Sequence, residues 1–207
     1  MHYFLLSAIL SFKIIGIDCS ACAKPVIKTI SSVDGVKNVQ LDWRKAAATV
    51  EVPDGFDRAH IRSALNKAGF EVAFPGETIT TMAPLSTDQL KQLDVAMYPG
   101  TSKMDFAKLP AAGKITVIDF YADWCGPCRV LETRLEHFMQ GRPNLALRRV
   151  NIGKWDNEAA KQATREFRAE ALPYIRVYDA NGKFVAAVTG GMWDEVLAAL
   201  EKAGLRP

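Results

Sequence analysis

Four cysteines, set as two C-x-x-C pairs, are the residues of this 207-residue sequence best suited to do chemistry: Cys19 with Cys22, and Cys125 with Cys128. Two sulfurs with two residues between them can close a disulfide, exchange it with another, or grip a soft metal ion as thiolates. Roughly a hundred residues separate the pairs. That is too far for a zinc-ribbon spacing, so each pair is read as its own site. The pairing is also unlike the scattered cysteines of a disulfide-stapled scaffold. His2, His60 and His137 do not cluster. The last two fall on predicted helices, facing solvent, and none is assigned a ligand or catalytic role.

The second pair lies in WCGPC, residues 124–128, after the apolar run ITVIDFYA (115–122) and before a stretch whose Leu131, Leu135 and Phe138 share a helical face. A run of that length and composition predicts a fully buried strand. Cys125 then stands at a helix start, where free backbone N–H groups and the dipole favour a negative sulfur. This makes Cys125 the attacking thiolate and Cys128 the more buried resolving thiol. Pro127 fits the first helical turn, where its missing N–H costs nothing. Asp119 sits inside the apolar strand, where desolvation raises a carboxyl pKa; a merely satisfied core carboxylate is the plainer alternative.

The first pair lies in GIDCSAC (16–22), between the apolar segment 12–17 and a helix carrying Val26, Ile27, Ile30 and Val33. Two thiolates there can bind Cu(I) or Hg(II) linearly, or contribute to a tetrahedral zinc site. A purely redox pair is the competing reading. Asp18 adds a hard oxygen that suits Zn(II), Cd(II) or Pb(II) better than Cu(I), unless it is an ordinary loop carboxylate.

These sites must be carried by two sets of elements. After the strand and helix of residues 12–33, Val39, Leu41 and Trp43 alternate, as do Ala48, Val50 and Val52. Asp57 caps a helix with Ile61, Ala64, Leu65 and Ala68 on its apolar face, and Phe70, Val72 and Phe74 alternate again. The order is βαββαβ, a small α+β ferredoxin-like domain over 12–75. Residues 76–102 read as a linker containing one helix, LSTDQLKQLDVAM, capped by Ser86 or Thr87. From 103 to 207 the pattern is strand, helix, strand, helix, hairpin around Asn181-Gly182, and a last helix with Trp193, Val196, Leu197 and Leu200. That is an α/β sheet with helices on its faces.

Over about residues 103–205 the chain resembles thioredoxin. On that resemblance, Asp119 takes the buried-carboxylate position and relays a proton with Cys128. Leu172-Pro173 takes the cis-proline position opposite the motif, an ordinary trans turn being the alternative. Arg149 stands where thioredoxins usually carry a lysine, keeping the charge but not the titratability. Trp155, in GKWD, either covers the edge of the site or packs. Over about residues 11–75 the chain is similar to the heavy-metal-associated domain, whose usual G-M-x-C-x-x-C appears here with Ile17 for Met. The form G-x-D-C-x-x-C is similar to that of zinc, cadmium and lead-transporting ATPase domains. The metal ligands implied are Cys19 and Cys22, with Asp18 as a third, and the metal one of Zn, Cd, Pb, Hg or Cu(I). No cofactor is expected at the redox site.

The expected function is thiol–disulfide exchange at Cys125 and Cys128 with an appended metal-binding dithiol domain. The alternative is a metal carrier or sensor whose thioredoxin-like part is a non-catalytic docking module. Partners implied are a disulfide-containing protein, an external thiol reductant and a metal transporter. A net charge of +3 without runs of like charge speaks against a nucleic-acid partner. The apolar run 3–12 is too short to span a bilayer. It reads, over 1–11, as the hydrophobic part of an export signal or as a lead-in to the first strand, with no Lys or Arg ahead of it. Exported and cytoplasmic placements are both compatible with these features.

Overall fold

The computed structural model describes residues 7–17, 20–78 and 82–206, residues 20–22 by backbone alone. The chain divides into two compact units, Met1–Thr81 and Met82–Pro207.

In the first unit, β1 (Ser7–Ile15), α1 (Ser20–Ser31), β2 (Lys37–Asp42), β3 (Ala47–Pro53), α2 (Ala59–Lys67) and β4 (Glu71–Ala73) follow the βαββαβ order that the alternation predicts. The sheet runs β2-β3-β1-β4, with each described pairing antiparallel. The period-two pattern of β3 buries Ala48, Val50 and Val52 on one face. Val26 and Ile30 of α1, Ile61 and Leu65 of α2, and Phe12 and Phe74, whose ring centroids lie 5.3 Å apart, are buried as well. Asp57 holds the approach to α2, its Oδ1 accepting from Ala59 N at 2.8 Å. β1 begins earlier than the expected 12, because β3 is long enough to pair it back to Ser7↔Pro53. Residues 7–11, grouped above with an apolar leader, are thus ladder residues of this sheet; 1–6 lie outside the described residues.

The second unit holds α3 (Thr87–Leu90), β5 (Val95–Tyr98), β6 (Ile115–Tyr121), α4 (Gly126–Met139), β7 (Leu145–Asn151), α5 (Glu158–Phe167), β8 (Tyr174–Tyr178), β9 (Phe184–Thr189) and α6 (Trp193–Lys202). Its sheet order is β5-β7-β6-β8-β9, with β5, β7 and β6 parallel and β8 and β9 antiparallel. All seven residues of β6 are buried, as its apolar composition requires. Ile118, Phe120 and Val150 pack toward α5, while Val117, Leu147 and Ile175 pack toward Leu131 and Leu135 of α4 and Leu200 of α6.

The expected linker over 76–102 and the single helix within it need correction. Ser86 does cap, in a reciprocal box with Gln89 (Gln89 N to Ser86 Oγ 3.3 Å, Ser86 N to Gln89 Oε1 2.8 Å). The helix lasts only four residues. The chain then enters the sheet as β5, with Val95 opposite Leu147 and Tyr98 opposite Val150. Asp94, which helical periodicity would continue through, is instead claimed by Arg148 at 2.7 Å and Lys114 at 2.8 Å. Tertiary pairing overrides a modest local helix preference. No helix among the described residues is long and apolar enough to cross a membrane.

Candidate active site

Strand β6 delivers the WCGPC segment to the N-terminus of α4, where Cys125 is the N-cap residue and Pro127 lies in the first turn. Cys125 and Cys128 are joined in a disulfide of S–S length 2.08 Å, with Cα atoms 5.3 Å apart. Cys125 Sγ accepts from Cys128 N at 3.2 Å, so the sulfur already sits where helix N–H groups point. Both cysteines are buried, Cys125 at 4% exposure and Cys128 completely.

The rim is held by polar ties. Trp124 is half exposed, and its Nε1 donates to Gly153 O. Asn151 Nδ2 donates to both carboxylate oxygens of Asp123 at 3.1 Å, and Arg129 donates to Asp123 O at 2.9 Å. Trp155 is partly exposed in the loop beyond Gly153. Pro173 follows a cis peptide bond, and its carbonyl accepts from Gly190 N at 2.9 Å. Gly191 has φ +66, and a Cβ there would lie 2.7 Å from Pro173 Cγ, so no other residue fits against that ring without displacing it.

On β6, six residues ahead of Cys125, Asp119 is completely buried. Parallel register sets it opposite Arg149, and the guanidinium Nε donates to Asp119 Oδ2 at 3.1 Å. Burial pushes the Asp119 carboxyl up to about 6, with Arg149 offsetting part of the shift. Asp119 Oδ1 has no hydrogen-bond partner among the described residues. Arg149 stacks 3.7 Å from the Tyr121 ring centroid, and its other end donates to Glu132 of α4. Glu136, one turn along α4, is buried, and desolvation raises its carboxyl too, helped by the Glu132 charge. Sequence reasoning found Asp119 and Arg149 but missed Glu132, Glu136 and Gly191. No local signal marks Glu132 or Glu136, because the register of β7, not the α4 sequence, brings Arg149 to Glu132.

Of the first pair, Asp18 and Cys19 lie outside the described residues, as does the side chain of Cys22, whose backbone belongs to α1. Among the described residues, no group of three or more His, Cys, Asp or Glu is arranged to hold a metal ion. His60 packs edge-on to Phe56 at 6.0 Å between centroids. His137, expected to face solvent, has its Nε2 2.8 Å from Ala83 O, because the chain entering the second unit passes over that helix face.

The profile of the Thioredoxin family matches residues 92–202, and that of the Heavy-metal-associated domain matches residues 11–71. A thioredoxin of Coprinus comatus is 37% identical over 76 residues, covering 36% of this chain and 67% of that one. An H-type thioredoxin of Fagopyrum esculentum is 33% identical over 92 residues, covering 44% and 74%. Among solved structures, oxidized MerP from Ralstonia metallidurans CH34 overlays 34% of this chain and 99% of its own at 27% identity and a TM-score of 0.32.

Proposed function

This chain belongs to the thioredoxin family and carries a heavy-metal-associated domain ahead of its thioredoxin unit; from that premise we propose that Cys125 and Cys128 form a working dithiol that reduces protein disulfides. The observation that carries the reading is the oxidised Cys125–Cys128 pair at the β6–α4 junction, on the strand that bears the buried Asp119.

In the reduced protein, the Cys125 thiolate attacks one sulfur of a substrate disulfide. A Cys125–substrate S–S bond forms, the substrate disulfide breaks, and one substrate thiolate leaves. Cys128 then gives its thiol proton to Asp119, and its thiolate attacks Cys125 Sγ. The Cys125–Cys128 bond forms as the mixed disulfide breaks, and the second substrate thiolate leaves. Two electrons pass from the dithiol to the substrate, and the thiol proton ends on Asp119. The described disulfide is the product of this sequence; an external thiol reductant returns it to the dithiol. Pro173, which follows the cis bond, is the proposed residue against which an extended substrate chain lies.

In the first unit, Cys19 and Cys22, with Asp18, are the proposed holders of a soft or borderline metal ion as cargo, and a metal transporter is the proposed partner. Two thiolates and one carboxylate suit Zn(II), Cd(II) or Pb(II). The docking-module alternative finds no support in the thioredoxin relatives.

The test is reduction of a generic protein disulfide with excess dithiothreitol as reductant. Cys125→Ser is expected to abolish the protein's contribution, a fall of about a thousandfold or more, and Cys19→Ser to leave it intact. Undiminished turnover in Cys125→Ser overturns the reading.

A further inference from the structure

One guanidinium serves two carboxylates, one on β6 and one on α4. Arg149 is 2% exposed; its Nε donates to the buried Asp119 and its Nη1 to Glu132, which is 30% exposed. Arginine does not give up its proton in proteins, so its charge is constant. With both carboxylates ionised, the trio carries one net negative charge in a place with little water; one added proton makes it neutral. Glu132 reaches solvent and Asp119 does not, so the penalty for ionisation falls on Asp119. Its Oδ1, without a partner among the described residues, is where the proton has room.

The remaining neighbours of Asp119 do not replace this control. Tyr121 of β6 is a phenol whose ionisation is pushed up by burial. Glu136 of α4 is itself held toward its neutral form. β8 presents the apolar Ile175 in register. Among the described residues, Arg149 is the cation that acts on Asp119, and Glu132 is the other carboxylate it hydrogen-bonds; Glu136 feels the same charge but is held toward its neutral form.

We infer that Glu132 is a positioning residue for the exchange reaction: by holding the far end of Arg149 it keeps Asp119 basic enough to take the proton of the Cys128 thiol. This rests on the role given to Asp119 in the proposed function. An Asp119 owning the whole guanidinium would ionise like an ordinary salt-bridged aspartate and be a poor base toward a thiol of ordinary pKa about 8.5. Sharing the cation narrows that gap. During resolution, the S–H bond of Cys128 breaks and Asp119 Oδ1 gains the proton. The sulfur's electron pair forms the bond to Cys125, and the substrate sulfur leaves with the pair of the broken mixed disulfide.

The experiment follows the Asp119 carboxyl carbon by NMR in the fully reduced, full-length protein, its signal assigned by loss in Asp119→Asn. Glu132→Gln keeps an oxygen for Arg149 but removes the charge. Its expected effect is a midpoint lower by about half a pH unit, which roughly triples the ionised fraction on the acid side. Glu132→Asp, which keeps the charge, should restore most of the original midpoint. Single-turnover resolution of a preformed mixed disulfide is expected to follow: Glu132→Gln faster than the unsubstituted protein at pH 5 and about twofold slower at pH 8, where a weaker base acts. Arg149→Gln supplies an independent arm, moving the midpoint up. An unmoved Asp119 midpoint in Glu132→Gln sinks the inference, as does a moved midpoint with an unchanged pH profile of resolution. Neither result touches the loss of turnover in Cys125→Ser, so failure here and failure of the oxidoreductase reading stay distinct.

Discussion

Both units carry a C-x-x-C between a strand and a helix, yet the two cores behind these motifs are built from different material. Among the described residues of the first unit, no charged side chain is buried; its sheet packs Val, Ile, Phe and Ala against α1 and α2. The second unit buries Asp119, Glu136 and Arg149 in and beside its most enclosed strands. Buried ionisable groups cost stability and are uncommon without a task. A dithiol that cycles through a disulfide needs somewhere to put a proton at a defined moment. One that only grips a metal ion needs deprotonated sulfurs and no internal base. On the proposed function, the contrast between an apolar core and a charged one is what sets a holding site apart from an exchanging site.

The largest test of that separation is reciprocal to the loss of turnover in Cys125→Ser. In equilibrium dialysis against Cd(II) and Zn(II), Cys19→Ser is expected to lose the ion held by the first pair, and Cys125→Ser, with Cys19 and Cys22 kept as thiols, to retain it. Equal loss in both variants would break the comparison. A second test addresses the cost of the buried carboxylate. The Asp119 carboxyl is raised from 3.8 to about 6 by folding. The protonated form is the one the native core prefers, so native stability is fully present below pH 4 and is lost as pH rises through 6. Asp119→Asn, which leaves Arg149 paired with Glu132, should gain about 3 kcal/mol over the unsubstituted protein at pH 8 and nothing at pH 4. Urea midpoints at the two pH values measure it, and a gain that did not vary with pH would contradict the account. A smaller effect belongs to Gly191→Ala. The added methyl lies within 2.7 Å of Pro173 Cγ and 3.4 Å of Leu131 Cδ2, and the expected cost is about 1–2 kcal/mol with slower turnover. No comparable penalty is expected at Gly55 of the first unit, where a Cβ meets nothing within 4 Å, beyond the strain of its positive φ.

Much of this was readable in advance wherever the determinant was local. The βαββαβ order and the buried β6 follow from alternation and from an unbroken apolar run. The dithiol's placement follows from a strand, a five-residue motif and a helix in immediate succession. What escaped was set by register between distant segments. Nothing in the string around Glu132 tells that β7 will bring Arg149 beneath that turn of α4. The same holds for β5: LSTDQLKQLDVAM has the residues of a helix, and only the free edge of β7 together with the claim of Arg148 and Lys114 on Asp94 makes its second half a strand. The early start of β1 has the same origin, since the length of β3 decides how far the ladder runs.

That edge strand has a practical consequence for cutting the chain. A fragment begun at 103, where the irregular stretch ends in the sequence, would discard β5 and strip the outer rim of the five-stranded sheet. Leu147 and Val150 would then front an open row of unpaired amides, the kind of margin along which chains stick to one another. A fragment begun at Met82 keeps the rim covered, and is the piece to make when the thioredoxin half is wanted alone.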